Sequence, residues 1–322
     1  MEKKGPFTVK ELKALPPGTQ FWGKYLIIGK NQRKTKDGRE IIDLRIADSS
    51  GEIYSVVWDS CSIHGELETG LVIGLLGDIG IYNQRLQVIA KRIKILDEDQ
   101  RQYLRMPLTD MEQLVKEFDQ ILNSIADPNM KELLQRVFNP EIRARFFQAP
   151  AAKKIHHNYY GGLLEHSLSV AGLCNKAADS YPGINRDLLL TGALLHDIGK
   201  LVEYEMDVAP RYTPEGRLLG HIVLGNEMVA ARINEMKNEG IEFPLELEWM
   251  IKHMLVSHHG SLEYGSPVLP LFTEAYILYA MDNLDARVFV FKNKIEEGDG
   301  DEEYFSKYDS FYGQHFFTFR LA

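Results

Sequence analysis

Residues 191 to 200 read TGALLHDIGK, an apolar run that carries His196 and Asp197 side by side. Two titratable groups in such a run are costly to bury unless something pairs with them. The same part of the chain holds four more stretches of this kind: GGLLEHSLSV with His166, LLGHIVLG with His221, LVSHHG with His258 and His259, and AMDNLDA with Asp282. Imidazole and carboxylate together suit Mn²⁺, Fe²⁺, Co²⁺ or Zn²⁺ better than Mg²⁺, which prefers an all-oxygen shell. The implied chemistry is that of a transition-metal site, where a cation neutralises and orders His196 and Asp197. Lys200 follows His196 by four residues, hence on one helical face, and is a candidate to clamp a substrate oxygen as charge builds in a transition state. Asp285 lies one turn from Asp282 and is placed to orient it or a water. His253 stands five residues before His258, off the pattern, and is assigned to packing near the ligands.

The ordered set resembles the HD superfamily of metal-dependent phosphohydrolases, whose motif is a His, then His-Asp, then a distant Asp. The two further His-bearing motifs resemble the binuclear subset of that superfamily. The resemblance implies that His166, His196, Asp197 and Asp282 hold a first metal. Asp197 then bridges to a second, held by His221, His258 and His259. Two metals about 3.5 to 4 Å apart would lower the pKa of a bridging water and stabilise both oxygens of an in-line displacement at phosphorus. Over nearly the whole chain, HHNYYGGLLEHSL, LLHDIGK, GHIVLG, SHHG and MDNLDA are similar to the motifs of the YhaM family of bacterial 3′-to-5′ exoribonucleases. That likeness implies a dinuclear, Mn²⁺-dependent hydrolase that trims single-stranded RNA, with single-stranded DNA as a further substrate, to nucleoside 5′-monophosphates. His156, His157 and Arg287 are then candidates to line the substrate.

These motifs need helices to carry them, and the apolar spacing supplies helices at about 163–180, 186–204, 218–238, 245–258 and 271–295. Before them, MEQLVKEFDQILNSI, MKELLQRVF and EIRARFF are also helical in period, punctuated by Pro128, Pro140 and Pro150. The first part of the chain has a different period. From Gln20 to about Leu96, short alternating runs separated by DG, SG and NQ turns read as five strands. A small closed barrel of the oligonucleotide-binding (OB) type fits that count. The expected fold is therefore α+β and multidomain: an OB-type barrel at 1–98, a helical connector at 99–150 and an all-α HD domain at 151–322.

The formal charge of −9 conceals a division. Residues 1–96 hold fifteen Lys and Arg against eleven Asp and Glu, a net of +4, and the remainder carries −13. A mildly basic barrel can track phosphates locally, whereas an acidic, His-rich half suits a cation site. Lys24, Lys30, Arg33, Lys34, Lys36 and Arg39 flank the first turn as phosphate contacts. Tyr25, Tyr54, Trp58 and Tyr82 offer faces for stacking bases, Tyr54 and Trp58 foremost, with core packing as the alternative for each.

The N-terminus lacks the apolar segment of a signal peptide, and LVIGLLGDIGIY is too short to span a bilayer, so no membrane partner and a cytoplasmic location are expected. Cys61 and Cys174 read as reduced thiols. Homo-oligomerisation is left open. Two other functions compete: an HD phosphohydrolase acting on a nucleotide or cyclic dinucleotide, and a non-enzymatic nucleic-acid adaptor with a structural metal. No GYP-type motif follows SHHG, which weighs against the cyclic dinucleotide.

Overall fold

A computed structural model describes residues 5–35, 38–83, 85–104, 107, 109–151, 159–205, 210–297, 304–310 and 312–319. Residues 1–106 with 206–211 form one compact unit, and 107–205 with 212–322 form another. Lys36 and Asp37 lie outside the described residues, as do His156 and His157.

The first unit is a closed five-stranded barrel in the order β1-β2-β3-β5-β4. The strands are β1 (Gln20–Lys34), β2 (Glu40–Asp48), β3 (Gly51–His64), β4 (Val72–Tyr82) and β5 (Arg85–Leu96). Neighbours pair antiparallel except β3 and β5, which run parallel and close the barrel. Alternation decides the inside: Phe21, Tyr25 and Ile27 of β1 meet Leu44, Ile46, Ile53, Val57, Ile73 and Leu75 in one core. Irregularities in register at Ile27/Gly29 and Leu76/Gly77 supply the local bending that a small barrel requires. Helix α1 (Val9–Lys13) joins this core through Val9 and Leu12. Asp48 shapes the SG turn between β2 and β3. One of its oxygens accepts from Ser50 N at 2.8 Å and the other from Val9 N at 2.8 Å, so the hairpin also anchors α1.

The second unit begins with α2 (Met111–Ser124), α3 (Pro128–Val137) and α4 (Pro140–Gln148). Asp110, Asp127 and Asn139 cap them, and Pro128 and Pro140 occupy first-turn positions where a missing N–H costs nothing. Their apolar faces, with Phe118, Phe138 and Phe146 in ring contact, share one core with the helices that follow. Those are α5 (Gly162–Ser180), α6 (Arg186–Leu195), α7 (Lys200–Glu203), α8 (Pro214–Asn238), α9 (Leu245–Ser257) and α10 (Thr273–Glu297). Every residue of α6 from Leu188 to Leu195 is buried, as expected of a helix that is apolar all round. Among the described residues no helix is long and apolar enough to cross a membrane.

Two helices differ from the periodic reading, and both differences shape the site. The segment 186–204 is not continuous: α6 stops at Leu195, the chain turns through His196–Gly199, and α7 restarts at Lys200. A Cβ on Gly199 would lie 2.0 Å from His221 O and 2.5 Å from Gly225 N, so the turn exists where α8 presses directly on it. Helix α8 starts four residues earlier than expected, at Pro214, and breaks at Gly220 (φ 72°, ψ 159°) before resuming at His221. Hydrophobic periodicity survives both breaks, so spacing alone does not reveal them.

The neighbours of Gly199 are backbone atoms that cannot swing aside. Gly199→Ala is therefore expected to destabilise the protein by about 1–3 kcal/mol in urea unfolding. A loss below about 0.5 kcal/mol, the range of an ordinary surface change, would contradict the close approach.

Candidate metal centre

The two breaks bring the motif residues together. His166 projects from the second turn of α5, His196 ends α6, and Asp197 lies in the turn that follows. His221 opens the second part of α8, His258 and His259 end α9, and Asp282 comes from the middle of α10. Their donor atoms form two groups, His166 with His196 and Asp197, and His221 with His258 and His259, each within 4.8 Å.

Asp197 stands between the groups. Its Oδ2 is 3.6 Å from His166 Nε2 and 3.3 Å from His196 Nε2, and its Oδ1 is 3.5 Å from His221 Nε2 and 3.8 Å from His258 Nε2. Asp282 Oδ1 joins the first group, 3.1 Å from His166 Nε2 and 3.9 Å from His196 Nε2.

Proton bookkeeping shows what the cluster is built to hold. His196 Nδ1 donates to Ala193 O at 2.8 Å, His258 Nδ1 to Leu255 O at 2.7 Å and His259 Nδ1 to Tyr264 O at 2.7 Å. His166 Nδ1 donates to Asp285 Oδ2 at 2.7 Å, and His221 Nδ1 to Glu203 Oε1 at 3.3 Å. With Nδ1 donating to these partners, each ring turns its Nε2 inward, the arrangement that outer hydrogen bonds impose on metal-binding imidazoles. The Nε2 atoms then face one another: His166 Nε2 lies 3.2 Å from His196 Nε2, and His221 Nε2 lies 3.3 Å from His259 Nε2. Asp197 Oδ1 and His258 Nε2 are buried without hydrogen-bond partners. Buried polar atoms are ordinarily satisfied. A set of nitrogen and oxygen ligand atoms that converges in two groups on one carboxylate fits divalent transition metals.

Charge reinforces this asymmetry between protons and cations. Burial works to raise the pKa of Asp197, but Lys200, His196 and His221 hold it well below the usual carboxylate range. Burial likewise opposes ionisation of Asp282, and the hydrogen bond with His166 and the nearby His196 overcome it. Burial depresses His258 strongly, and burial with His221 depresses His259, so both rings stay neutral. His166 is the exception: burial disfavours its charge, yet hydrogen bonds to Asp282 and Asp285 raise its pKa to about 10.

Lys200 is not the solvated end of one long helix shared with His196. It opens α7, is buried, and its Nζ lies 2.5 Å from Asp197 Oδ2. His253 accepts from Leu271 N at 3.0 Å through Nε2, a packing and capping contact just ahead of α10. Arg287 is exposed on α10 with its guanidinium over the Tyr312 ring, 5.7 Å from its centroid. Glu203 has no counterpart in the motif reading. It ends α7 in LVEYE, where nothing local marks it, and only the folded chain brings it to His221.

On the barrel, Tyr25 is corrected from a stacking candidate to a core residue: it is fully buried and its hydroxyl donates to Phe7 O at 2.7 Å. Tyr54 and Trp58 alternate outward on β3 and are exposed, as is Tyr82. The basic residues are not free charges. Lys24 pairs with Glu98 and Lys30 with Glu68, each at 2.7 Å, Lys34 lies 3.7 Å from Glu40, and Arg33 is bound to Asp43.

Residues 163–287 match the HD domain family, so the helical region carries an HD domain. The barrel has OB-fold neighbours among solved structures. The OB domain from Methanosarcina mazei is 22% identical over 26% of this chain and 79% of its own, with a TM-score of 0.23. The second OB-fold domain of replication protein A from Methanococcus maripaludis is 19% identical over 29% of this chain and 96% of its own, with a TM-score of 0.23. The p204 HINb domain is 18% identical over 29% of this chain, which spans 47% of that domain's length, with a TM-score of 0.24. HD domains are metal-dependent phosphohydrolases that bind divalent cations, and the two groups around Asp197 lie within the matched span.

A cation entering the first group must expel the His166 proton, which the hydrogen bonds to Asp282 and Asp285 hold well above the ordinary imidazole range. Cation affinity there is expected to rise by about tenfold per pH unit between about pH 6.5 and 8.5, with close to one proton released per chain. Titration calorimetry in buffers of different ionisation enthalpy measures both. An affinity flat in pH with no proton released would contradict the electrostatics derived for His166.

Proposed function

We propose that this protein hydrolyses phosphodiester bonds in single-stranded nucleic acid, trimming RNA from its 3′ end to nucleoside 5′-monophosphates, with single-stranded DNA as a second substrate. The observation that carries this reading is Asp197, one carboxylate whose two oxygens face two separate histidine groups. In this reading His166, His196, Asp197 and Asp282 hold one cation, and Asp197, His221, His258 and His259 hold the other. Bound there, Mn²⁺, or Co²⁺, Fe²⁺ or Zn²⁺ in its place, supplies Lewis acidity at phosphorus and ionises water near neutral pH.

The remaining work belongs to the chain's own groups. The carbonyls of Ala193, Leu255 and Tyr264 fix three imidazoles in the tautomer that leaves Nε2 free. Lys200, held on Asp197 Oδ2, is the nearest side-chain ammonium and in this role offers a proton or a positive charge to an oxygen of the substrate. Tyr54 and Trp58 offer rings on which successive bases stack, worth about 1–3 kcal/mol per base. Lys24, Lys30, Arg33 and Lys34 must exchange a carboxylate for a phosphate to take part, which makes stacking the leading source of affinity. Residues 1–98 then retain the strand, 99–150 brace the catalytic helices, and 151–322 cut.

A 5′-labelled oligoribonucleotide incubated with Mn²⁺ is expected to shorten stepwise from its 3′ end and release nucleoside 5′-monophosphates. Asp197→Ala should abolish this, a loss beyond the roughly 10- to 100-fold that follows removal of an outer partner of a metal ligand. Turnover of free nucleotides with the oligonucleotide intact would select the nucleotide phosphohydrolase instead. An Asp197→Ala protein with wild-type cleavage would remove the proposed centre.

A further inference from the structure

Three of the five imidazoles are held by main-chain carbonyls three or five residues away, so the helix ends that carry them also aim them. The other two are held by distant carboxylates, one in each group: His166 by Asp285, and His221 by Glu203. His221 is the more exposed to misplacement. It directly follows the break at Gly220, so the preceding turn of helix does not fix its backbone.

Glu203 compensates at two points. Its Oε1 accepts from the backbone N–H of His221 at 3.2 Å, capping the restarted helix, and from His221 Nδ1 at 3.3 Å. Its own position is fixed from behind. Thr213 N donates to Glu203 O at 3.0 Å, and a Cβ on Gly216 would lie 2.2 Å from that same carbonyl oxygen. Glu203 is buried, 6% exposed. A buried carboxylate needs a partner, and one placed behind an imidazole at Nδ1 is the carboxylate–histidine–metal arrangement.

We infer that Glu203 is a positioning residue that sets occupancy of the second cation through His221, the counterpart of Asp285 behind His166. The inference rests on the two-cation reading above. It separates the two halves: loss of Glu203 should empty the His221, His258 and His259 group and leave the His166, His196 and Asp282 group loaded.

The test is a Co²⁺ titration of wild type, Glu203→Gln and Glu203→Ala, followed by visible absorption and by elemental analysis of bound cobalt per chain. Wild type is expected to bind two ions. Glu203→Ala should bind one with unchanged affinity and the second about 10- to 100-fold more weakly. Glu203→Gln keeps an acceptor oxygen for the His221 N–H groups and should fall between them. This variant decides the matter alone if the alanine protein is unfolded by circular dichroism. Two ions at wild-type affinity in the glutamine and alanine variants would overturn the inference, as would equal weakening of both ions. Fewer than two ions in wild type would overturn the two-cation reading itself, and the inference with it.

Discussion

The interaction on which the helical unit depends is the burial of one carboxylate between four imidazoles. Asp197 is 2% exposed, and an ionised carboxylate so placed is tolerable only when positive charge or hydrogen bonds surround it. Lys200 supplies one charge at 2.5 Å, and the rings of His196 and His221 supply further favourable field. Those partners leave Oδ1 unsatisfied, facing His221 and His258 across distances too long for hydrogen bonds. The fold therefore reserves a direction of approach for a cation at the carboxylate that holds the cluster together.

Bringing six candidate ligands from five helices to one carboxylate requires helices that stop early and pack closely. Helix α6 ends so that His196 and Asp197 can turn inward, and α8 breaks so that His221 can face them. Gly199 and Gly225 let the turn after α6 meet α8 with backbone against backbone. Such breaks forfeit helical hydrogen bonds, and the surrounding apolar core of α2–α6 and α8–α10 offsets the loss. Local disruption held in place by a large core is the usual arrangement at a functional centre.

Much of this was legible in the sequence, in a specific way. The resemblance of the ordered motifs to the HD superfamily singled out the residues that the fold gathers into the two histidine groups. Five strands were legible from alternation, and closure from their number. The helix ends at Leu195 and Gly220 were not, because apolar spacing continues across them while the break is imposed by a neighbouring helix. Glu203 was invisible for the same reason: its role comes from His221, eighteen residues away. The basic residues of the barrel read as a phosphate track, since a sequence shows charges without showing that Glu68, Glu98 and Asp43 sit against them. Tyr25 shows the limit of reading aromatics singly: the pleat sends it inward and sends Tyr54 outward, and residue type does not distinguish the two.

The central claim is that Asp197 joins two cations. Anomalous diffraction at the manganese edge, from crystals of the full chain grown with Mn²⁺, tests it most directly. The account predicts two peaks about 3.5–4 Å apart, one against each oxygen of Asp197, with His166, His196 and Asp282 around the first and His221, His258 and His259 around the second. A single peak, or two peaks that do not share Asp197, would contradict it.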